Sequence, residues 1–337
     1  MLEKYSTNGQ KISVIEAGPD DALRLMMLHG GPGYYWPEGE IADLSNRLQQ
    51  TGTYLKIEAV QSRGCGIGNY ISPYQDLLDD NLYKRSEDLK AFDSPEILLG
   101  HSTGAMVALT AVMEGFIKPE KIILLSPYTA SLGEHEYWIT KKAEKYPKVF
   151  GQFYSYVEAQ WQKYKGELPK DLKEKLYMYW GELFFSLPND DEKVKANIHY
   201  LNFHVIDSMP SLGTEDGEPF TYYKTMLENF AQLDQATKDT LVRIGTINAH
   251  WWQTNYQDGY PFFEKLKSFD FDMPITILSG DKDEITPPET VQKLADILKV
   301  KSIIAKNSYH IPEINKPGKL KEHLVTLLNE IALDFLG

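Results

Sequence analysis

The chain has 337 residues, of which 42% are hydrophobic and 25% are charged. This is enough apolar material for a large core, and it excludes collagen-like, coiled-coil and disordered sequences. The formal net charge of −13 repels phosphate backbones and anionic lipids, so we expect no nucleic-acid partner and no membrane partner.

Cysteine usage and the N-terminal sequence suggest a compartment. Cys65 is the single cysteine, which excludes an internal disulfide and a cysteine metal cluster. The first residues lack the apolar core of a signal peptide, and no run of about 18 apolar residues occurs. We therefore expect a cytoplasmic protein.

Short apolar runs alternate with amphipathic stretches along much of the chain. Strands are predicted at Lys11–Ala17, Leu23–Leu28, Tyr54–Val60, Glu96–Leu99, Lys121–Leu125, Ile275–Leu278 and Ser302–Ala305. Helices are predicted at Glu40–Gln50, Leu82–Phe92, Ala105–Glu114, Pro288–Leu298 and Leu320–Phe335. This alternation is typical of an α/β fold with a mostly parallel sheet and helices on both faces, and we assign it to residues 1–127 and 273–337.

Residues 128–272 have a different pattern. They lack strand-like runs and read as amphipathic helices broken by prolines. Of the chain's 41 aromatic residues, 27 lie between Tyr128 and Phe263. We predict an inserted helical cap rich in aromatic rings, which form either the core of the insertion or the wall of a pocket.

The segment Gly100–Gly104 (GHSTG) carries the strongest chemical signal. It lies between an apolar strand and an apolar helix, where a nucleophile elbow is expected. A sharp strand–turn–helix leaves no room for side chains on either side of the serine, which explains both glycines. The turn presents the hydroxyl of Ser102 at a helix N-terminus, so we predict Ser102 as a nucleophile.

A serine hydroxyl needs a base that is held by a carboxylate. In an arrangement of the α/β-hydrolase type, the acid and then the histidine follow the serine, and only His310 and His323 lie after the insertion. His310 follows the last predicted strand in a loop and is the predicted base, whereas His323 lies in the last helix as a surface residue. The candidate acids, Asp281, Asp283 and Glu284, follow the preceding strand.

Two backbone amides are candidates for an oxyanion hole. One is the N–H of Thr103, directly after the serine. The other is the N–H of Gly31, in the Gly/Pro-rich loop His29–Gly33 that follows an early strand. His29 is expected to brace this loop rather than to act as a base.

Together, five pieces of the sequence resemble the α/β-hydrolase superfamily, and more narrowly the proline iminopeptidase (prolyl aminopeptidase) family: His29–Gly33, Arg63–Gly66, Gly100–Gly104, Gly280–Asp283 and His310. The resemblance covers nearly the whole chain. It implies an eight-stranded sheet, no cofactor, and a pocket between the sheet and the cap. The family spacing, with the acid three residues after a glycine, implies Asp283 as the acid and leaves Asp281 as the fallback.

The chain departs from the iminopeptidase pattern around the predicted pocket. The family elbow usually carries Trp after the serine, where this chain has Thr103. The family cap uses glutamates to hold the substrate α-amine, and the resemblance implies that Asn248 takes one such position, in a segment that continues to Trp251 and Trp252. A neutral amide lacks the charge-assisted hydrogen bond that an ammonium group favours. These three cap residues and Glu182, a candidate for the other carboxylate, form the predicted substrate site.

The sequence therefore predicts a serine hydrolase that cleaves an ester or amide bond of a small, largely apolar substrate. One alternative is a proline iminopeptidase that releases N-terminal proline from short peptides. An alternative of another class is a non-catalytic, ligand-binding protein with the same fold. No metal site is predicted, because the chain has no His-Glu-x-x-His motif. The natural substrate and the oligomeric state are left open.

Overall fold

The fold is given by a computed structural model of the chain. It describes residues 2–5, 9, 11–30, 36, 38–61, 82–128, 261–283, 286–308, 310 and 319–336. All of them belong to one compact unit, which comprises Met1–Gly66, Asn81–Thr129 and Gly259–Gly337.

The described residues form eight strands and six α-helices. The strands are β1 (Leu2–Tyr5), β2 (Lys11–Ala17), β3 (Leu23–Leu28), β4 (Leu55–Gln61), β5 (Ile97–His101), β6 (Lys121–Leu125), β7 (Ile275–Gly280) and β8 (Ser302–Ala305). The helices are α1 (Glu38–Gln50), α2 (Leu82–Glu87), α3 (Thr103–Met113), α4 (Phe262–Ser268), α5 (Pro288–Leu298) and α6 (Lys319–Leu336). A 3₁₀ turn, Asp88–Ala91, follows α2. No helix in this described part is long and apolar enough to cross a membrane.

The strands form one sheet in the order β1-β2-β4-β3-β5-β6-β7-β8. β1 pairs antiparallel with β2, and β2 pairs antiparallel with β4. From β4 to β8 all neighbours are parallel. The prediction of a mostly parallel eight-stranded sheet is confirmed, and the strand that the periodicity missed is the short edge strand β1.

The central strands β3, β5, β6 and β7 are largely buried on both faces, which explains why they are nearly continuous apolar runs. Met26 and Met27 point to opposite faces of β3 and are 0% and 1% exposed. On one face, α1 and α6 close a core whose central side chains include Leu25, Leu44, Leu48, Leu99, Leu324 and Leu328. On the other face, α2, α3, α4 and α5 contact one another in series. The first ten residues of α3 are all buried, as expected for a helix that is apolar all round.

The chain order of the strands brings distant segments together. β6 and β7 are neighbours in the sheet, with Ile122 paired with Ile275, although roughly 150 residues separate the two strands. The predicted cap, 128–272, lies outside the described residues apart from its two ends. Within that range, α4 belongs to the same unit as the sheet. The boundaries at 127/128 and 272/273 remain a prediction.

A cluster of charges lies where α1 and α6 meet. The ammonium group of Lys321 binds the carboxylate of Asp43, and the Lys321 side chain is only 7% exposed. Burial raises the pKa of Glu40 to about 7, although the charge of Lys321 opposes the shift and that of Asp43 adds to it. Glu40 and Lys321 line a small cleft together with Met27, Trp36, Ile41, Leu44 and Leu324.

Candidate active site

Ser102 lies in the turn between β5 and α3. Its backbone has φ 51° and ψ −120°, a strained conformation for a residue with a side chain. Two backbone hydrogen bonds join this turn to β6 and the residues that follow it: Ser102 N–H donates to the carbonyl of Leu125 at 2.9 Å, and Tyr128 N–H donates to the carbonyl of Ser102 at 3.0 Å. The geometry is that of the elbow that the sequence predicted between these two elements.

The glycines on either side of the serine are required by close packing. A Cβ atom on Gly100 would lie 2.5 Å from the carbonyl oxygen of Gly104. A Cβ atom on Gly104 would lie 2.5 Å from the carbonyl oxygen of His29 and 2.6 Å from that of Leu28. Because these neighbours are backbone atoms, no side-chain rotation relieves the contact.

Three side chains from three different loops meet at the carboxyl ends of β5, β7 and β8. His310 Nε2 lies 3.0 Å from Ser102 Oγ. His310 Nδ1 lies 2.9 Å from the Oδ2 atom of Asp283. All three residues are buried, at 6%, 6% and 2% exposure for Ser102, His310 and Asp283. The arrangement is a hydroxyl, an imidazole and a carboxylate in one hydrogen-bonded chain.

The carboxylate of Asp283 is also held by Thr286. The backbone N–H of Thr286 donates to Oδ1 at 2.8 Å, and its hydroxyl donates to Oδ2 at 2.6 Å. Burial alone would raise the pKa of Asp283, but the charge and N–H of His310 and the two Thr286 bonds outweigh it and lower the pKa below its usual value. Asp283 is therefore an anion in the neutral pH range.

Asp281, the fallback acid, makes a different contact. Its Oδ1 atom accepts the backbone N–H of Ser308 at 3.2 Å. Nearby, the backbone N–H of Lys282 donates to the carbonyl of Ser308 at 2.9 Å. The loop after β7 and the loop before His310 are thus joined by two hydrogen bonds, one of which uses the Asp281 side chain.

Of the two predicted oxyanion donors, one lies within the described residues. Thr103 is the first residue of α3, and the N–H groups of a first helical turn have no intrahelical acceptor. Gly31 lies outside the described residues. His29, two residues before Gly31, is buried, and its Nδ1 donates to the carbonyl of Gly30 at 2.9 Å. This bond supports the expectation that His29 braces the loop.

Of the other predicted residues, His323 lies within the described part of the chain and the substrate residues lie outside it. His323 on α6 is exposed, as expected. The predicted substrate residues Glu182, Asn248, Trp251 and Trp252 lie outside the described residues. Within the described ranges, no group of three or more His, Cys, Asp or Glu side chains is placed to hold a metal ion.

Sequence reasoning missed two residues that hold the site. Thr286 binds both oxygens of the acid, and the signal for it is its spacing, since a hydroxyl residue three positions after an aspartate is a common local hydrogen-bonding pattern. His101 is buried behind the base and donates to its backbone. His101 occupies the first variable position of the Gly-x-Ser-x-Gly motif, and the motif carries no signal for a role of this residue.

The strand order, the elbow after β5 and the loops after β7 and β8 define the α/β-hydrolase class of proteins. More narrowly, the family model described as serine aminopeptidase, S33, matches residues 24–312, and the chain belongs to this family. No curated protein matches the sequence.

Solved structures share the fold at low sequence identity. An esterase, RhEst1, from Rhodococcus sp. ECU1013 is 16% identical with a TM-score of 0.57, over 97% of this chain and 98% of that one. A proline iminopeptidase-related protein from Thermus thermophilus is 18% identical with a TM-score of 0.54, over 99% of both chains. A bromoperoxidase from Bacillus anthracis is 15% identical with a TM-score of 0.53, over 99% of both chains. These similarities establish the fold, and the variety of activities leaves the substrate to be argued from the site.

Proposed function

We propose that the protein is a serine hydrolase that cleaves an ester or amide bond of a small, largely apolar substrate. Ser102 is the nucleophile, His310 the general base and Asp283 the residue that orients it. The observation that carries the proposal is the chain of contacts from Ser102 Oγ to His310 Nε2 at 3.0 Å and from His310 Nδ1 to Asp283 at 2.9 Å. Nucleophile and base within hydrogen-bond reach, with the base held by a third group, is the arrangement that activates a serine.

The reaction follows from these contacts. Ser102 Oγ attacks the substrate carbonyl while its proton moves to Nε2 of His310. The anion of Asp283 stabilises the imidazolium that forms. The imidazolium then gives the proton to the leaving alcohol or amine, and an acyl-enzyme remains. Water, deprotonated by the same histidine, attacks the acyl-enzyme, and the acid product leaves as Ser102 regains its proton.

The charge that develops on the carbonyl oxygen needs donors. Thr103 N–H is proposed as one, since the first turn of α3 begins directly after the nucleophile and the helix N-terminus favours negative charge. Gly31 N–H is proposed as the other. Asp283 rather than Asp281 is proposed as the acid because the carboxylate of Asp281 binds the backbone of Ser308.

A fluorophosphonate probe tests the nucleophile. We expect the wild-type protein to be labelled covalently, and Ser102→Ala to be unlabelled although folded. Ser126→Ala is the matched control, because Ser126 is also a buried serine at positive φ, at the carboxyl end of the neighbouring strand β6. A folded wild-type protein that resists labelling would contradict the proposal and favour the non-catalytic, ligand-binding alternative.

A second candidate, proline iminopeptidase activity, is favoured by the family match. Against it stand Thr103 and Asn248, which the resemblance sets at positions where iminopeptidases usually carry Trp and an acidic residue. Comparing proline p-nitroanilide with short p-nitrophenyl esters separates the two candidates. We expect faster ester hydrolysis, and kcat/KM higher for proline p-nitroanilide than for the esters would establish the aminopeptidase instead. Small molecules or short peptides are the proposed partners in both cases.

A further inference from the structure

The imidazole of His101 is buried directly behind the imidazole of His310. The two ring centroids are 5.2 Å apart, and the centroid of the Trp36 ring lies 5.7 Å from that of His101. His101 is 2% exposed and is the residue before Ser102, at the end of β5. It therefore contacts the base from the strand that carries the nucleophile.

The hydrogen bonding of His101 defines its tautomer. Nε2 lies 3.1 Å from the backbone carbonyl oxygen of His310, and because a carbonyl oxygen only accepts, Nε2 carries the proton. Nδ1 has no hydrogen-bond partner among the described residues. A Cβ atom on Gly30 would lie 2.8 Å from Nδ1, so the backbone of Gly30 covers this nitrogen. The ring is thus held as a neutral donor with a single directed bond.

The surroundings of the ring keep it neutral. Burial, together with the neighbouring His310 and His29, lowers the pKa of His101 to about 3, while the carbonyl of His310 and the charge of Asp283 oppose the shift. A cation at this position would lie next to the imidazolium that forms on His310 during the reaction. A neutral donor fixes the base without opposing its protonation.

We propose that His101 is a positioning residue: its Nε2–H holds the backbone carbonyl of His310 and so keeps the imidazole of His310 within hydrogen-bond reach of Ser102. The loop that carries His310 is also held through Ser308, which is bonded to Asp281 and Lys282 after β7. The two sets of bonds join the base loop to the strands of the nucleophile and of the acid. This inference rests on the proposed serine hydrolase function.

Three substitutions at one position separate the donor from the packing. The amide nitrogen of Gln reaches about as far from the backbone as Nε2 of histidine, so His101→Gln keeps a donor for the carbonyl. The shorter amide of His101→Asn does not reach it, and His101→Leu has no donor. His323→Gln on the exposed face of α6 is the control for a histidine substitution remote from the site.

The measured quantities are kcat and KM for a p-nitrophenyl ester. The active-site concentration used to calculate kcat is the concentration of sites that a fluorophosphonate labels. A displacement of the base by about 1 Å costs on the order of 100-fold. We expect His101→Leu and His101→Asn to lower kcat by about 10- to 100-fold with KM changed less than about 2-fold, and His101→Gln to stay within about 5-fold of wild type. If the Leu variant does not fold, the comparison of Asn with Gln decides.

Wild-type kcat in the Asn variant, or a Gln variant as slow as the Asn variant, would overturn the role of His101. A wild-type protein that is not labelled would overturn the serine hydrolase proposal itself. Nitrogen-15 NMR of the wild-type protein gives an independent answer. We expect His101 to keep a proton on Nε2 and none on Nδ1 from pH 5 to 9, and a protonated Nδ1 or a titration in that range would also overturn the inference.

Discussion

The backbone N–H of Ser308 donates to the carboxylate of Asp281 at 3.2 Å. Ser308 lies two residues before His310, and Asp281 lies two residues before Asp283. This bond ties the loop of the base to the loop of the acid. The side chain of Asp281 is 24% exposed, whereas that of Asp283 is fully buried. Two aspartates that are close in sequence are therefore distinguished by what they bind.

This difference predicts unequal effects of removing each carboxylate. We expect Asp283→Ala to lower kcat by roughly 10⁴-fold, since the imidazole loses its orienting anion. Asp281→Ala removes one partly exposed hydrogen bond that fixes the loop, so we expect a loss of about 2- to 10-fold. Steady-state kinetics with a p-nitrophenyl ester measures both. A loss for Asp281→Ala as large as that for Asp283→Ala would contradict this distinction, and a larger one would mean that Asp281 is the acid.

Thr286 is predicted to act through Asp283. Thr286→Val removes the hydroxyl that donates to Oδ2 at 2.6 Å and leaves a buried carboxylate short of a donor. We expect a loss of about 1–3 kcal/mol in the free energy of unfolding, measured by urea denaturation, and about 10-fold in kcat. Thr286→Ser keeps the hydroxyl and is the control. The prediction fails if the Ser and Val variants are alike.

Gly30 and Gly39 form a pair for testing close packing near the nucleophile. A Cβ atom on Gly30 would lie 2.7 Å from Ser102 Cβ and 2.8 Å from His101 Nδ1, whereas one on Gly39 meets nothing within 4 Å. We expect Gly30→Ala to displace these side chains and lower kcat by about 10- to 100-fold. Gly39→Ala, in the first turn of α1, should keep wild-type kcat and gain up to about 1 kcal/mol of stability. Wild-type activity in Gly30→Ala would show that this loop accommodates the methyl group.

The raised pKa of Glu40 predicts a pH dependence of stability. An acid whose pKa is about 7 when folded and near 4.5 when unfolded binds more protons in the folded state between these values. The free energy of unfolding therefore falls as pH rises from about 4.5 to about 7.

Glu40→Gln should remove this slope. Glu40 is partly exposed, so we expect less than the full effect of the pKa shift. As the pH is raised from 5 to 8, the free energy of unfolding of the variant should rise by roughly 1–2 kcal/mol relative to that of the wild type. Urea denaturation at both pH values measures it. Glu38→Gln, exposed in the first turn of the same helix, is the control and should leave the slope intact. A wild-type slope in Glu40→Gln would show that Glu40 is not the group that produces the pH dependence.

Much of the fold followed from hydrophobic periodicity, because a parallel sheet buried on both faces needs continuous apolar strands. Seven predicted strands are present, with ends within two residues of those predicted. β1 was missed because four residues at an edge carry too short a pattern to be recognised. The predicted helix Leu82–Phe92 is an α-helix to Glu87 followed by a 3₁₀ turn, a distinction that spacing alone does not make.

The candidate triad was predictable because each member follows a strand in a known order along the chain. The contacts that hold it were not, since Thr286, Asp281 and His101 act through hydrogen bonds that depend on how neighbouring loops meet. The oxyanion role of Gly31 and the substrate contacts of the predicted cap remain predictions.

The adjacency of β6 and β7 has a consequence for folding. Ser102 comes from the chain before the long interval between these strands, and Asp283 and His310 come from the chain after it. Closing a loop of about 150 residues costs little more than closing one half as long, since the entropy rises only with the logarithm of length. Such distant pairing is nevertheless slow to form. We therefore expect a refolding chain to regain its secondary structure before it regains reactivity toward a fluorophosphonate, which makes labelling a late marker of the completed sheet.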